Sequence, residues 1–259
     1  MPTPAGALVE VAVETPGGAR AAQAGGAARL ELGTGLLEGG LTPSAGLIAQ
    51  VSESVALPLF VLIRPRPGDF LYDAGELAVM VRDIAEAARR GADGVVVGAL
   101  DQQGEVDRIA MHTLVEAARP LAVTFHRAFD LAANAERSLE TLMALGVERV
   151  LTSGQAPTAE AGLPVLRRLV TLAGDRLTIV AGGGVTASGA QRLVREAGIR
   201  EVHLSGRTTR ESPMEFRRDD LRLGGPVVPG EYERYETDPI RIRAVVEAVS
   251  SGSRRVPDT

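Results

Sequence analysis

The sequence predicts an α/β protein folded as a single (β/α)8 TIM-like barrel with a C-terminal extension. Short runs rich in β-branched residues recur along the 259 residues, and most of them are separated by stretches rich in Ala, Leu, Arg and Glu. Strand and helix alternate about every 25 to 35 residues, which indicates parallel βα units. Eight such units in a chain of this length fit a closed barrel better than an open doubly wound sheet.

The predicted strands cover residues 8–13, 28–32, 59–63, 94–98, 121–125, 148–151, 177–181 and 201–204. Helices are expected between most of them, including residues 75–90, 108–118, 136–145 and 189–197. In the fifth strand, the apolar side chains alternate with small or polar ones. Alternation therefore turns Val123 and Phe125 toward a covering helix, and Thr124 and His126 toward the barrel interior.

Capping residues support these helix boundaries. Three predicted starts combine a capping oxygen with proline at the first helical position, namely Thr15-Pro16, Thr42-Pro43 and Asp238-Pro239. A fourth start, over residues 212–215, has the spacing of a capping box. Several predicted helices end at a glycine suited to a left-handed C-cap, as at Gly91, Gly146 and Gly198.

No linker divides the chain, so residues 1–259 are expected to form one domain with a core over about 7–216. Residues 217–237 form a long segment rich in charge, glycine and proline, which predicts a long loop or an interface arm. A terminal helix is expected over residues 238–250, followed by a disordered tail at 251–259.

Composition predicts a soluble, cytoplasmic protein without membrane or nucleic-acid partners. Hydrophobic residues make up 45% of the chain, enough for a sizeable core. The amino terminus has no basic segment followed by an apolar one, and no apolar run reaches the roughly 18 to 20 residues that span a bilayer. The net charge of −5 without a long basic run leaves no electrostatic footprint for nucleic acid, although arginines can still bind small anions.

Two residue types are absent, and each absence excludes a class of chemistry. The chain has no cysteine, which excludes disulfides, zinc–thiolate sites and a thiol nucleophile. All 28 basic residues are arginine, and without a lysine amine the protein cannot form an imine with a carbonyl substrate. If the protein is an enzyme, its chemistry is therefore lysine- and cysteine-independent acid–base chemistry of the isomerase or lyase type.

The inward positions of the predicted strands carry unusual charge. Strand parity selects Glu10, Arg29, Glu31, Arg64, His126, His203 and Ser205. Unpaired buried charges cost several kcal/mol each, so these groups must pair with one another or face a watered cavity. A purely architectural Glu–Arg–His network is one interpretation, and an active site at the carboxyl ends of the strands is the other. Convergence from separate strands favours the site.

Two loops after strands add candidate residues. In LAVTFHRAFD, His126 arrives with Arg127 and Asp130, which form either a site or a buried histidine beside a surface ion pair. The loop at residues 64–72 carries Arg64, Arg66 and Asp69 with two aromatics on a proline-stiffened backbone, typical of an anion clamp or of a rigid connector.

Glycines favour an oxyanion cradle beside these loops. The candidate residues are Ser153, Gly182, Gly183, Gly184, Ser205 and Gly206. The last two loops of many barrels hold phosphate, and glycine lets the backbone approach a ligand. Glycine also serves any tight connection between a strand and a helix, so that alternative stays open.

Seven segments of the chain resemble the CutC family, which is named for copper homeostasis. They are RLELGTGLLEGGLTPS, IRPRPGDFLY, LAVTFHRAFD, RVLTSGQ, IVAGGGV, EVHLSG and SPMEFR, and they follow the family's order over residues 8–217. The resemblance implies a cytoplasmic TIM-like barrel, commonly oligomeric, with a site at the carboxyl end of the barrel. Carried over by motif, the implied functional residues are Glu10, Glu31, Arg64, Arg66, Asp69, His126, Arg127, Asp130, Ser153 and His203.

Copper is implied only by the family name. Members for which copper binding has been proposed carry cysteines near the first two strand ends, where this chain has Ala12, Val13 and Gly33. Cuprous ion prefers thiolate or thioether ligands. The candidate ligands left for a borderline metal are His126 and His203, with Glu10 or Glu31.

Three functions therefore remain open. The first is an enzyme or binder for a small anionic or phosphorylated metabolite, with His126 as general acid or base, oriented by Glu31 or Asp130. The second is a non-catalytic copper-binding protein, and the third is a structural barrel that binds a partner protein. A homo-oligomer, dimer or tetramer, is expected in each case.

Overall fold

A computed structural model of the protein describes residues 6–221 and 229–251. Eight parallel strands close into a barrel in sequence order, which confirms the predicted fold class. The strands are β1 (Leu8–Val13), β2 (Arg29–Leu32), β3 (Leu59–Leu62), β4 (Gly94–Val97), β5 (Ala122–Phe125), β6 (Arg149–Thr152), β7 (Thr178–Gly182) and β8 (Glu201–Leu204). Each lies within a residue or so of its prediction because β-branched runs between turn signals mark buried parallel strands clearly.

Helices surround the barrel. They are α1 (Pro16–Ala24), α2 (Ala45–Ser54), α3 (Ala74–Arg89), α4 (Arg108–Ala118), α5 (Ala135–Ala144), α6 (Leu163–Ala173), α7 (Ala187–Ala197) and α8 (Pro239–Ser251). Short 3-10 helices occur at Leu36–Glu38 and Arg127–Leu131. The side chain of Thr15 caps α1 by accepting from the backbone N–H of Gly18, as the Thr-Pro signal predicts.

Two predicted helix starts are wrong. Helix α2 is capped by Ser44, whose side chain accepts from the N–H of Leu47, and not by Thr42. Among the described residues no helix begins at Ser212, because its N–H donates to the carbonyl of Tyr232 and ties this segment to a hairpin. The side chain of Ser212 instead accepts from the N–H of Met214 in a local turn.

The segment expected to be one long loop contains regular structure. Strand β9 (Arg207–Glu211) continues from β8 and pairs antiparallel with β10 (Glu233–Thr237), which lies inside that segment. The hairpin then leads directly into α8. Residues 222–228 of the predicted loop and 252–259 of the predicted tail lie outside the described residues.

The apolar core has two layers. The larger one lies between barrel and helices and includes Val123 and Phe125, in agreement with the predicted parity of β5. A smaller layer of Phe60, Leu62 and Val96 fills the barrel itself. Within the described ranges, no helix has both the length and the apolar character needed to cross a membrane.

Below the small apolar layer lies a charged set that we call the floor network, made of Glu10, Arg29, Arg149 and Glu201. Arg29 donates through Nε to Glu10 and through Nη2 to Glu201, while Nε of Arg149 lies 3.6 Å from Glu201. Both guanidinium groups lie 4.9 Å from the ring centroid of Phe60. The members of the floor network neutralise one another. For this part of the inward charge, the interpretation as a purely architectural network therefore holds.

Candidate functional site

A cavity of about 680 Å³ opens at the carboxyl end of the barrel. Nine of the residues singled out in the sequence line it, namely Glu31, Arg64, His126, Arg127, Gly183, Gly184, His203, Ser205 and Gly206. Six others do not line it, namely Glu10, Arg66, Asp69, Asp130, Ser153 and Gly182. The volume falls in the range typical of small-molecule sites.

The charge of this cavity contrasts with that of the chain. Its lining includes four arginines and one carboxylate, although the whole protein has a net charge of −5. Two of the arginines, Arg64 and Arg127, were predicted from the sequence. The other two, Arg207 and Arg241, were not. The lining therefore carries more fixed cations than carboxylates.

Arg64 is the most deeply placed of the four cations, with 5% of its surface exposed. Its guanidinium donates to three backbone carbonyls, those of Glu38 and Gly40 at 3.0 Å and that of Gly68 at 2.8 Å. Its Nε has no partner, and within residues 6–221 and 229–251 no carboxylate pairs with it. The guanidinium also lies 4.9 Å from the ring centroid of Phe70.

His126 adopts an orientation that fixes its tautomer. Its Nδ1 accepts a hydrogen bond from the N–H of Ala128 at 3.2 Å, which leaves the proton on Nε2. Nε2 has no partner in the described part of the chain. Burial, reinforced by the positive charge of Arg64, lowers the pKa of His126 to about 3. His126 is therefore neutral with its proton on Nε2 and can donate a hydrogen bond, and its role as general acid or base stays a prediction.

Two neighbours hold the His126 ring. The ring of Phe70 lies 4.8 Å from it, tilted by 49°. On the other side, a Cβ at Gly98 would stand 2.5 Å from Nδ1, so only glycine leaves room for the imidazole. The glycine that follows β4 is thus a site residue that strand parity did not reveal.

Glu31 and His203 face each other across the inner wall of the cavity. Oε1 of Glu31 lies 4.0 Å from Nε2 of His203, while Oε2 has no hydrogen-bond partner among the described residues. Burial raises the pKa of Glu31 to about 7, even though the charge of His203 opposes this shift. A carboxyl with this pKa can both accept and release a proton near neutral pH.

Glu10 lies behind His203, outside the cavity lining. Its Oε1 is 2.7 Å from Nδ1 of His203. Burial alone would raise the pKa of Glu10, but the bond to His203 and the charge of Arg29 outweigh it and lower the pKa to about 2. Burial likewise would lower the pKa of His203, but Glu31 and Glu10 outweigh it and raise the pKa. Glu10 therefore acts through His203 as an orienting carboxylate.

Asp130 anchors a loop and does not orient His126. Its oxygens accept from the hydroxyl of Thr152 at 2.5 Å, from the N–H of Ser153 at 3.0 Å and from Nε of Arg127 at 2.8 Å. The hydroxyl of Ser153 donates to the carbonyl of Ala156 and receives Nη2 of Arg127. These bonds fix Arg127 at the cavity edge, so Asp130 and Ser153 support the site from outside.

The contacts of Arg66 and Asp69 agree with the interpretation of their loop as a rigid connector. Arg66 donates to Asp69 at 3.0 Å, to Glu76 at 2.5 Å and to the carbonyl of Leu71 at 2.7 Å. All of these partners lie in the loop or at the start of α3. The structure does not bring either side chain to the cavity, and the two residues brace the loop that carries Arg64 and Phe70.

The glycine turn after β7 lines the cavity and leads into α7. Gly183 and Gly184 have φ values of +109° and +66°, which suit glycine alone. Thr186 caps α7 by accepting from the N–H of Gly189 at 3.1 Å. Gly182 has an indirect role, because a Cβ there would stand 2.5 Å from Leu151, which lines the cavity.

Helix α8 forms part of the cavity wall through Arg241, Ala244 and Val245. The Asp-Pro signal predicts this helix, but no sequence pattern indicates that it returns over the barrel mouth. Because α8 returns over the mouth through long-range packing, Arg241 was not predicted as a site residue. Arg207 was not predicted either, because it begins β9, beyond the end of β8 to which the alternation of side chains was applied.

One group in the described residues has the proximity needed to hold a metal ion. Ligand atoms of Glu10, Glu31 and His203 lie within 4.8 Å of one another, and His126 is not among them. Both oxygens of Glu10 already bond Arg29 and His203, which leaves one carboxylate and one imidazole nitrogen. Without sulfur, this donor set does not fit cuprous ion.

Comparison with known proteins assigns the chain to a family. The sequence model of the CutC family matches residues 7–208. The copper homeostasis protein cutC homolog of Mus musculus is 45% identical over 240 residues, which cover 93% of this chain and 88% of that protein. The family protein CutC of Xanthomonas campestris pv. campestris (strain B100) is 48% identical over 247 residues, covering 94% and 99%.

Solved structures agree with the family assignment. The crystal structure of a copper homeostasis protein CutC from Streptococcus agalactiae has 32% identity and a TM-score of 0.73, covering 76% of this chain and 97% of that chain. Phosphoribosylanthranilate isomerase from Thermotoga maritima has 11% identity and a TM-score of 0.57, covering 95% and 99%, which is a likeness of fold alone. By sequence and by fold, the chain belongs to the CutC family.

Proposed function

We propose that this protein binds a small organic anion at the barrel mouth and moves a proton from one atom of that anion to another. The observation that carries the proposal is Arg64, a buried cation at the cavity wall that pairs with carbonyls instead of a carboxylate. A buried charge without a counterion is unfavourable by several kcal/mol. A carboxylate or phosphate bound in the cavity that Arg64 lines would supply that counterion.

His126 supports the same ligand. As a neutral imidazole with its proton on Nε2, it offers a second unpartnered donor close to Arg64. An oxygen held by both donors would be polarised without a proton being lost from either group. This arrangement suits a carbonyl or carboxylate oxygen on which negative charge develops.

Glu31 is the proposed proton-transfer group. It lines the cavity, its Oε2 is free of hydrogen bonds among the described residues, and its pKa of about 7 matches the operating pH. His203 lies 4.0 Å away and keeps its orientation through Glu10. Together they suit removal of a proton from carbon beside a carbonyl and its return to a neighbouring atom, as in isomerase or lyase chemistry.

Copper binding is less well supported by these residues. Several relatives are named for copper homeostasis, but the cavity lining includes neither cysteine nor methionine. Anaerobic titration with cuprous ion against a competing chelator tests this alternative. Uptake of one equivalent per chain that is lost in His203→Gln would favour it over anion binding.

Binding assays with Arg64→Gln test the proposal. Isothermal titration of the intact protein with a panel of small carboxylates and phosphate esters is expected to find ligands whose affinity falls at least tenfold in this variant, as for loss of one charge-assisted pair. Arg89→Gln is the matched control, because Arg89 pairs with Glu86 on α3 and does not line the cavity. Equal affinities in wild type and Arg64→Gln would overturn the proposal.

Proton transfer is tested separately by deuterium exchange. A bound ligand with an acidic C–H is expected to exchange that hydrogen with D2O in the wild type and not in Glu31→Gln. Cytoplasmic location and a homo-oligomeric state complete the proposal, and light scattering of the purified chain measures the latter.

A further inference from the structure

We infer that the cavity has a second anion subsite at its rim, built by Arg207 and Arg241, and that its ligand is a short-chain carboxylic acid bearing a phosphate group. In this arrangement the carboxylate lies at Arg64 and the phosphate lies at the rim. The inference rests on the proposed function for the Arg64 end. It goes beyond it by naming a second recognition element and a ligand class.

Arg207 is only partly neutralised. Its Nη1 lies 3.6 Å from Oε2 of Glu14, too far for a hydrogen bond, and has no other partner among the described residues. The guanidinium lies 4.9 Å from the ring centroid of Tyr235, which holds it in place from β10. Arg207 lines the cavity with a half-buried side chain, and no carboxylate holds its guanidinium at hydrogen-bond distance, so its charge is available to an anion there.

Arg241 is fixed beside Arg207 by the start of α8. Its Nη1 donates to the carbonyl of Arg207 at 2.8 Å. The N–H of Asp238 donates to the carbonyl of Gly206 at 3.0 Å, and a Cβ at Gly206 would stand 2.3 Å from Ile242. Helix α8 therefore packs directly on the chain that follows β8, and two arginines line one side of the cavity. An anion at this side of the cavity would be attracted by both charges.

Backbone groups from β7 and α7 complete this subsite. Gly183, Gly184 and Thr186 line the same cavity and lead into α7, an eleven-residue helix. The first turn of a helix directs backbone N–H groups and a partial positive charge toward its end. Arg127 approaches from the other side, since a Cβ at Gly183 would be 3.4 Å from its Cζ.

A phosphate fits the rim better than a second carboxylate does. Its three terminal oxygens can accept from two guanidinium groups and from backbone N–H groups at once, whereas a carboxylate has two oxygens. The opposite end offers the single buried cation Arg64 and the neutral donor His126, which suits a carboxylate. The apolar residues Leu62, Leu151 and Leu204 also line the cavity and can contact a short carbon chain.

Titration calorimetry with paired probes tests the inference on the intact protein. The probes are 3-phosphoglycerate against glycerate, 6-phosphogluconate against gluconate, and inorganic phosphate alone. In the wild type, a phosphorylated acid is expected to bind at least tenfold more tightly than its parent acid. Arg241→Gln is expected to remove about tenfold of that advantage while leaving the affinity for the parent acid unchanged. Arg207→Gln serves as a second variant with the same expected effect.

Arg243→Gln is the matched control, because Arg243 lies on α8 but donates to the carbonyl of Ala24 away from the cavity. If parent acids bind through Arg64 but phosphate adds no affinity, or if Arg241→Gln behaves as Arg243→Gln does, the second subsite is refuted and the proposed function stands. If neither series binds the wild type at millimolar concentration, both are refuted.

Discussion

Glu31→Gln is expected to make the protein more stable at alkaline pH. The folded state raises the pKa of this carboxyl from 4.5 to about 7, chiefly through burial. Because the folded protein holds the proton more tightly than the unfolded chain, the stabilisation is complete below pH 4.5. It is lost as the pH rises through about 7. Above that pH the fold contains a buried ionised carboxylate.

The size of the effect follows from the pKa values. The interval from 4.5 to about 7 corresponds to about 3 kcal/mol at about 1.4 kcal/mol per pH unit. Glutamine resembles the protonated carboxyl at every pH. The free energy of unfolding of Glu31→Gln should thus equal that of the wild type well below pH 4.5, exceed it by about 1 kcal/mol at pH 5 and exceed it by about 3 kcal/mol at pH 8.5. For a chain of this size the difference in melting temperature is roughly 6 to 12 °C.

The assay is chemical and thermal unfolding of both proteins between pH 5 and 8.5. The folded state also raises the pKa of His203, so the difference between the two proteins is the quantity to compare. Glu10→Gln is the matched control with the opposite sign, because the folded state lowers the pKa of Glu10 to about 2. Its ionised form contributes stability above pH 4.5 that is lost as the pH falls through about 2, so the variant should be less stable at pH 7. A constant difference between Glu31→Gln and wild type from pH 5 to 8.5 would refute the reasoning.

Three further substitutions test the packing around the site by the same unfolding assay. Gly98→Ala places a Cβ 2.5 Å from Nδ1 of His126 and should cost about 1 to 3 kcal/mol, whereas Gly46→Ala, with open space around it, should be neutral or slightly stabilising. Equal stabilities of the two glycine variants would contradict this account. Asp130→Asn should lose about 1.5 to 3 kcal/mol and weaken anion binding, since it removes a charged acceptor from its loop; unchanged stability would mean the loop is held otherwise. Arg29→Met should cost about 3 to 5 kcal/mol by leaving two carboxylates without their shared cation, and a neutral result would show that water already solvates that end.

The sequence was sufficient to predict the barrel because its strands are marked locally. Each strand is a short β-branched run between turn signals, and parity within it determines which side chains face inward. Glu31, Arg64, His126 and His203 were found in this way, since a strand end fixes both the position and the direction of a side chain.

Residues beyond the strand ends could not be placed by the same argument. Arg66 and Asp69 follow Arg64 closely in sequence, but their side chains turn to each other and to the start of α3. Arg241 lies 38 positions after His203 in the printed sequence, yet its helix packs over the same mouth. Such placement depends on long-range packing that periodicity does not encode. The tautomer and the pKa of His126 could not be predicted from the sequence, because they depend on the neighbours Ala128 and Arg64.

The floor network fills the end of the barrel opposite the cavity. Its four charged residues close the amino-terminal end, and Phe60 and Leu62 close the level above them. Under the proposed function, these two layers of described side chains separate a ligand at the mouth from the amino-terminal end, so it enters and leaves through the mouth by one route. Helix α8 forms part of the wall of that route, and its contacts with the chain after β8 therefore influence the rates of both steps.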